Sequence, residues 1–92
     1  MADEQRTMAD DFAEGKPAQA LTFGQKAVGL TFNPSGDPSV VKCKQGFADL
    51  IDQMNMLLLA SNGPGQARHA VLAITDLETA QMRAVKALTW KD

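Results

Sequence analysis

Two runs of this chain carry apolar side chains at steps of three and four, and one short turn-forming stretch separates them. In the first run, from about Pro38 to Ala60, Val40, Cys43, Phe47, Leu50, Met54 and Leu57 keep that stepping without a break. Such spacing puts them on one side of an α-helix as a heptad seam, which Ile51 and Leu58 widen into a broad stripe. The second run, from about Gln66 to Thr89, repeats the pattern with Ala67, Ala70, Ile74, Leu77, Gln81, Ala84 and Leu88. The intervening Ser61-Asn62-Gly63-Pro64-Gly65 is short enough that the second helix must fold back antiparallel on the first. Each helix is then roughly 30–35 Å long.

The residues before the hairpin are organised differently. Residues 1–16 are polar, acidic and poorly patterned, and read as a flexible N-terminal arm ending at Pro17. Thr22-Phe23-Gly24-Gln25 fits a capping box, with Thr at the cap and Gln at the third helical position, so a short helix is expected from Thr22 to about Leu30. Gly24 and Gly29 weaken that helix by roughly 1 kcal/mol each. They serve either ordinary tight packing or the close approach of a backbone or ligand. Asn33-Pro34-Ser35-Gly36-Asp37-Pro38 forbids a continuous helix. Asp37 is placed to cap the next helix, with Pro38 in its first turn.

The expected fold is therefore all-α: a short N-terminal helix, then a long antiparallel two-helix hairpin. Residues 17–92 form its oligomerisation and ligand-binding domain. Self-assembly into a helical oligomer follows from the faces the hairpin leaves over. Ala73, Ala80 and Ala87 lie one heptad apart beside Val71 and Val85, beyond the stripe one partner helix covers. Neighbouring copies would cover this surface, unless the short helix folds back over it.

Composition excludes several function classes. The formal net charge is -2, too acidic for a dedicated binder of duplex nucleic acid. The charge is uneven: residues 1–15 hold Asp3, Glu4, Asp10, Asp11 and Glu14 against Arg6, leaving a mildly basic body. Cys43 is the single cysteine, which rules out an intrachain disulfide and favours a cytoplasmic setting. The first residues are acidic where a secretory leader is basic. No apolar stretch is long enough for a membrane span.

Catalytic chemistry has little to work with: one His, one Cys, no ligand cluster with metal spacing, and so no expected metal, cofactor or enzymatic activity. Cys43, on the seam, reads as a small buried hydrophobe. A set suited to phosphate remains. Lys26 lies between Gly24 and Gly29. Thr31, Asn33 and Ser35 bring hydroxyl and amide groups in the following loop. Arg68 and His69 are expected in the first turn of the last helix, where free N–H groups favour an anion. A surface Arg beside a turn, or an exposed His, is the plain alternative. Phe12 and Phe23 offer faces for a stacked base, and Phe32 lies nearby, although core packing is the expected first use of Phe23 and Phe32. Gln81, polar on the seam, either fixes helix register or faces a pocket.

The run Leu21-Thr22-Phe23-Gly24-Gln25-Lys26-Ala27-Val28-Gly29-Leu30-Thr31-Phe32-Asn33-Pro34-Ser35-Gly36 and the ending from Ala73 to Trp90 resemble a phage hairpin-domain family, that of the anti-CBASS and anti-Thoeris cyclic-nucleotide sponges. The resemblance spans about residues 17–92. It implies a non-enzymatic protein that sequesters cyclic di- and trinucleotide immune second messengers in the host bacterial cytoplasm. It also implies a hexamer of hairpins, with dinucleotides between pairs of protomers and trinucleotides where three meet. Lys26 resembles the family lysine on the dinucleotide phosphates. Arg68 resembles the arginine that grips phosphates in the trinucleotide pocket, with the Thr31–Ser35 loop beside it. One departure stands out: the family's dinucleotide binders stack the base on an N-terminal tyrosine, and this chain has no Tyr. Either Phe12 or Phe23 takes that place, or the dinucleotide site is weak or absent. A second class of function stays open: a helical-hairpin oligomer acting as a protein-interaction or phage structural module, suited by the acidic arm and by Met54 and Met56.

Overall fold

The computed structural model describes residues 20–92. The acidic arm, the Pro17 boundary and Phe12 lie outside the described residues. Those described are all-helical: α1 (Phe23–Ala27), α2 (Pro38–Leu59) and α3 (Pro64–Thr89). The long helices pack along each other, and α1 packs on α2.

Local chemistry sets the ends of each helix. Thr22 Oγ1 accepts from the Gln25 N–H at 3.0 Å, and Gln25 Oε1 accepts from the Thr22 N–H at 2.9 Å, closing the expected capping box. The helix stops at Ala27, three residues short of the expected Leu30. Gly29 is the reason, taking φ +63. Its N–H donates to the Lys26 carbonyl and the Leu30 N–H to that of Gln25, the paired closure that ends helices on a left-handed glycine. Asp37 caps α2 as expected, accepting from the Ser39 N–H at 2.9 Å and from its hydroxyl at 2.8 Å. These two bonds hold its carboxyl below the usual aspartate range.

The last helix starts at Pro64, two residues before the expected Gln66. Proline fits a first helical position because its missing N–H would have had no partner there. No side chain caps Gly63. Gln66 instead reaches back, its Oε1 accepting from the Asn62 N–H at 2.6 Å.

The core gathers Val28 from just past α1, Ala48 and Ile51 from α2, and Ile74 from α3. Phe47, Met54 and Leu77 are partly buried around it. On α3 the expected seam holds as far as Ala84: Ala70, Ile74 and Gln81 are buried, with Ala67, Leu77 and Ala84 half-buried, but Leu88 at its end is 45% exposed. On α2 it is turned. Val40, Lys44, Ala48 and Ile51 are the buried residues, whereas Leu50 of the expected seam is 44% exposed and Cys43 only half-buried. α2 is gripped on two flanks, by α3 and by α1, and α1 selects small and polar neighbours. A Cβ on Gly24 would stand 2.1 Å from the Ala48 carbonyl oxygen, so only glycine lets α1 lie this close. Of the two readings of Gly24, packing is the one the structure supports.

Candidate functional site

The residues before α2 form one continuous surface feature. Asp52 on α2 meets the start of α1, its Oδ1 accepting from the Gly24 N–H at 2.7 Å. Gln25 Nε2 donates to Gln45 Oε1 at 3.1 Å, and Gln45 in turn donates to Asp49 at 2.8 Å. One flank of α1 is thereby tied to α2. Lys26 remains exposed in the last turn, where the helix end favours a cation. Phe23 is 46% exposed and Phe32 70% exposed, so neither is a core residue. The face of Phe23 is open to a planar partner.

Past α1 the chain turns through Gly29, Thr31 and Phe32. Thr31 is exposed. Asn33 and Ser35 are occupied within the loop. Asn33 Nδ2 donates to the Asp37 carbonyl at 3.0 Å, Ser35 Oγ donates to Asn33 Oδ1 at 2.8 Å, and the Asp37 N–H donates to Ser35 Oγ at 3.2 Å. These bonds fix the loop into a rim. With Val40, Lys44, Val85 and Thr89 it encloses a hollow of about 200 Å³ at the C-terminal end of α3. Gly29 belongs to the turn geometry, its positive φ accounting for the glycine without a ligand.

Arg68 and His69 stand elsewhere. Because α3 begins at Pro64, they are its fifth and sixth residues. The Ala67 N–H already donates to the Gly63 carbonyl, so Arg68 and His69 lie past the free N–H groups of the first turn, where they were expected. Both side chains are exposed. From Arg68 to Val85, at the hollow, runs roughly 25 Å of helix axis. Within one chain, Asn33 and Ser35 stand at one end of the hairpin with Thr31 just before them, Lys26 lies on α1 over the middle of α2, and Arg68 and His69 lie towards the other end.

Between α2 and α3, on a flank that α1 does not cover, runs an open and mostly apolar groove. Cys43, Gly46 and Leu50 face Ala84, Ala87 and Leu88 across it. The alternative in which α1 covers the spare apolar surface therefore does not hold. Ala80 and Ala87 are exposed, and Ala73 is half-buried.

Sequence reasoning missed Lys44 and Asp52, which hold the α1 segment in place. Lys44 had a visible signal, a charge four residues after Val40 and seven before Ile51 on an otherwise apolar strip. Asp52 had none, since its partner is a backbone N–H distant in sequence. Among the described residues, no three His, Cys, Asp or Glu side chains are grouped to hold a metal ion, and no helix is long and apolar enough to cross a membrane.

Residues 25–89 match a protein-family model described as the hairpin domain of Acb2/Tad1. The match takes in Lys26, the loop, both long helices and Arg68. No curated protein and no solved structure matches the chain.

Proposed function

This chain belongs to the Acb2/Tad1 hairpin-domain family, and from that premise we propose that it is a phage-encoded sponge for cyclic oligonucleotide immune second messengers. It binds cyclic trinucleotides, cyclic dinucleotides or both in the host cytoplasm, releases them chemically unchanged, and so blocks CBASS-type or Thoeris-type defence. The observation that carries this reading is the exposure of Lys26, over the middle of α2, and of Arg68, near the start of α3, on a hairpin whose lateral groove is open. Exposed cations on an open hairpin cannot enclose a ligand from a single chain. They can do so once copies pack side by side through the groove, the hexamer being the assembly the family implies.

Capture without cleavage needs enclosure, stacking and charge-assisted hydrogen bonds. Arg68 supplies a bidentate grip on phosphate, with His69 next to it. Lys26 and the Thr31 hydroxyl supply a second grip, and the open face of Phe23 a surface for a base. Gly29, Asn33 and Ser35 shape the wall. Phe12, outside the described residues, is the other candidate for stacking. The hairpin with Lys26, Thr31 and Arg68 is the binding domain, and residues 1–16 are its acidic arm.

Isothermal titration against a panel of cyclic di- and trinucleotides tests the reading. Arg68→Ala should weaken trinucleotide binding and Lys26→Ala dinucleotide binding, each by about tenfold to a hundredfold, the loss expected for a hydrogen bond to a charged group. Helical content should not change. Ligand recovered after heat denaturation should be intact. Absence of heat across the panel would instead favour an oligomer that binds a protein partner, and altered nucleotide would make the chain an enzyme.

A further inference from the structure

Lys44 is a charged residue in an apolar position. It lies four residues from both Val40 and Ala48, each buried, and is itself only 5% exposed. Taking an ammonium out of water is unfavourable unless its protons find acceptors. A well-packed apolar side chain commonly serves stability as well or better. The acceptors here are not carboxylates. Lys44 Nζ donates to the Gly29 carbonyl at 3.0 Å and to the Phe32 carbonyl, and stands 5.6 Å from the centre of the Phe32 ring.

These two carbonyls bracket Leu30 and Thr31. The turn already has its own closure, since the Phe32 N–H donates to the Gly29 carbonyl at 2.9 Å. The lysine is therefore not needed to form the turn. What it adds is attachment of the turn to α2. Asp52 makes the matching attachment at Gly24. The anchors are eight residues apart on α2, roughly 12 Å, and the segment they pin carries Lys26 and Thr31.

We propose that Lys44 is a positioning residue for ligand capture: by fastening the Gly29–Phe32 turn to α2, it sets where the Lys26 ammonium and the Thr31 hydroxyl stand before a cyclic nucleotide arrives. This rests on the sponge reading above. Lys44 touches no ligand. Its effect is to keep the binding arrangement populated, and apparent affinity falls in proportion to the fraction of chains that hold that arrangement.

The test uses the full chain in a Cys43→Ala background, so that one new cysteine can be modified selectively. Three proteins are compared: the background chain, Lys44→Met, and Lys44→Cys alkylated with bromoethylamine while unfolded, which restores a lysine-length side chain ending in an ammonium. Lys44→Met should keep its helical content and assembly, while the Leu30–Phe32 amides exchange faster. Its affinity for the cyclic nucleotide that the background chain binds best should drop at least about tenfold, as when the released turn holds the binding arrangement a tenth of the time. The aminoethylated protein should regain slow exchange and affinity together. Unchanged affinity in Lys44→Met overturns the proposal, as does a refolded aminoethylated chain that stays weak. Collapse of the hairpin in Lys44→Met would make the residue structural and overturn it as well. If the background chain binds no nucleotide at all, the sponge reading fails, and with it the role of Lys44 in capture. The exchange rates then decide separately whether the fastening itself is real.

Discussion

The two flanks of α2 meet the rest of the molecule by opposite means. On one, α1 lies against the backbone itself, admitted by Gly24 over Ala48 and tied by Asp52 and Lys44. On the other, Cys43, Gly46 and Leu50 border a groove that nothing in the same chain fills. The closed flank is specified by a glycine, an alanine and two charged side chains, none of which the hydrophobic pattern of α2 picks out. The open flank takes Cys43 and Leu50 from the sequence pattern. Contact between α1 and α2 thus depends largely on close approach and hydrogen bonds. The surface left for other copies depends on apolar area.

The largest break in this contrast should come from Gly24→Ala. Its methyl would meet a main-chain carbonyl that cannot swing aside, so a loss of about 3 kcal/mol is expected despite the better helix propensity of alanine. Denaturant unfolding measures it, and an unmoved midpoint would mean that α1 is not held so closely. Next comes Leu50→Glu in the open groove. A carboxylate buried between copies should weaken self-association by about 2 kcal/mol or more while leaving helicity intact. Sedimentation that finds the same assembly would remove the groove from the interface.

Gly46→Ala sharpens the comparison by making the Gly24 substitution on the other flank. An added Cβ at Gly46 meets nothing within 4 Å. The single chain should gain about 0.5–1 kcal/mol from the glycine-to-alanine change alone. If the gain appears in dilute protein and disappears under conditions of assembly, a neighbour packs on that glycine.

The smallest effect concerns Asp37. Its folded-state pKa is depressed by the bonds from Ser39, so its contribution to stability is fully present above the ordinary value of 3.8 and is lost as the pH falls through the depressed one. Asparagine caps a helix comparably and carries no charge. Asp37→Asn should therefore match the parent at neutral pH and unfold with a shallower dependence on acid, as urea midpoints above and below that value would record.

Much of the fold was legible because its signals are local. The Thr22–Gln25 capping box, the Asp37-Pro38 start, the proline-rich loop and the α3 seam each need only neighbours in sequence. The position of α2's buried strip was not legible, because it depends on which two elements grip that helix. A period of three and four tells which residues share a face, not which face is covered. The start of α3 was misplaced because Gly63-Pro64-Gly65 was read wholly as turn, although proline suits a first helical position. For the candidate site, Lys26, Thr31 and Arg68 are exposed and available. Asn33 and Ser35 proved to be loop-bonded, Gly29 a turn residue, and Arg68 two residues deeper in its helix than the pattern placed it. Lys44 escaped notice because a lysine in a stripe is ordinarily read as an interruption.

The distance between Arg68 and the Asn33–Ser35 rim carries a thermodynamic consequence. A guest that touches both must bridge different molecules, so its occupancy and the joining of those molecules are linked quantities. Each strengthens the other by the same factor. Retention would then climb more steeply than in proportion to the amount of protein made, and simple dilution would let the cargo go unharmed.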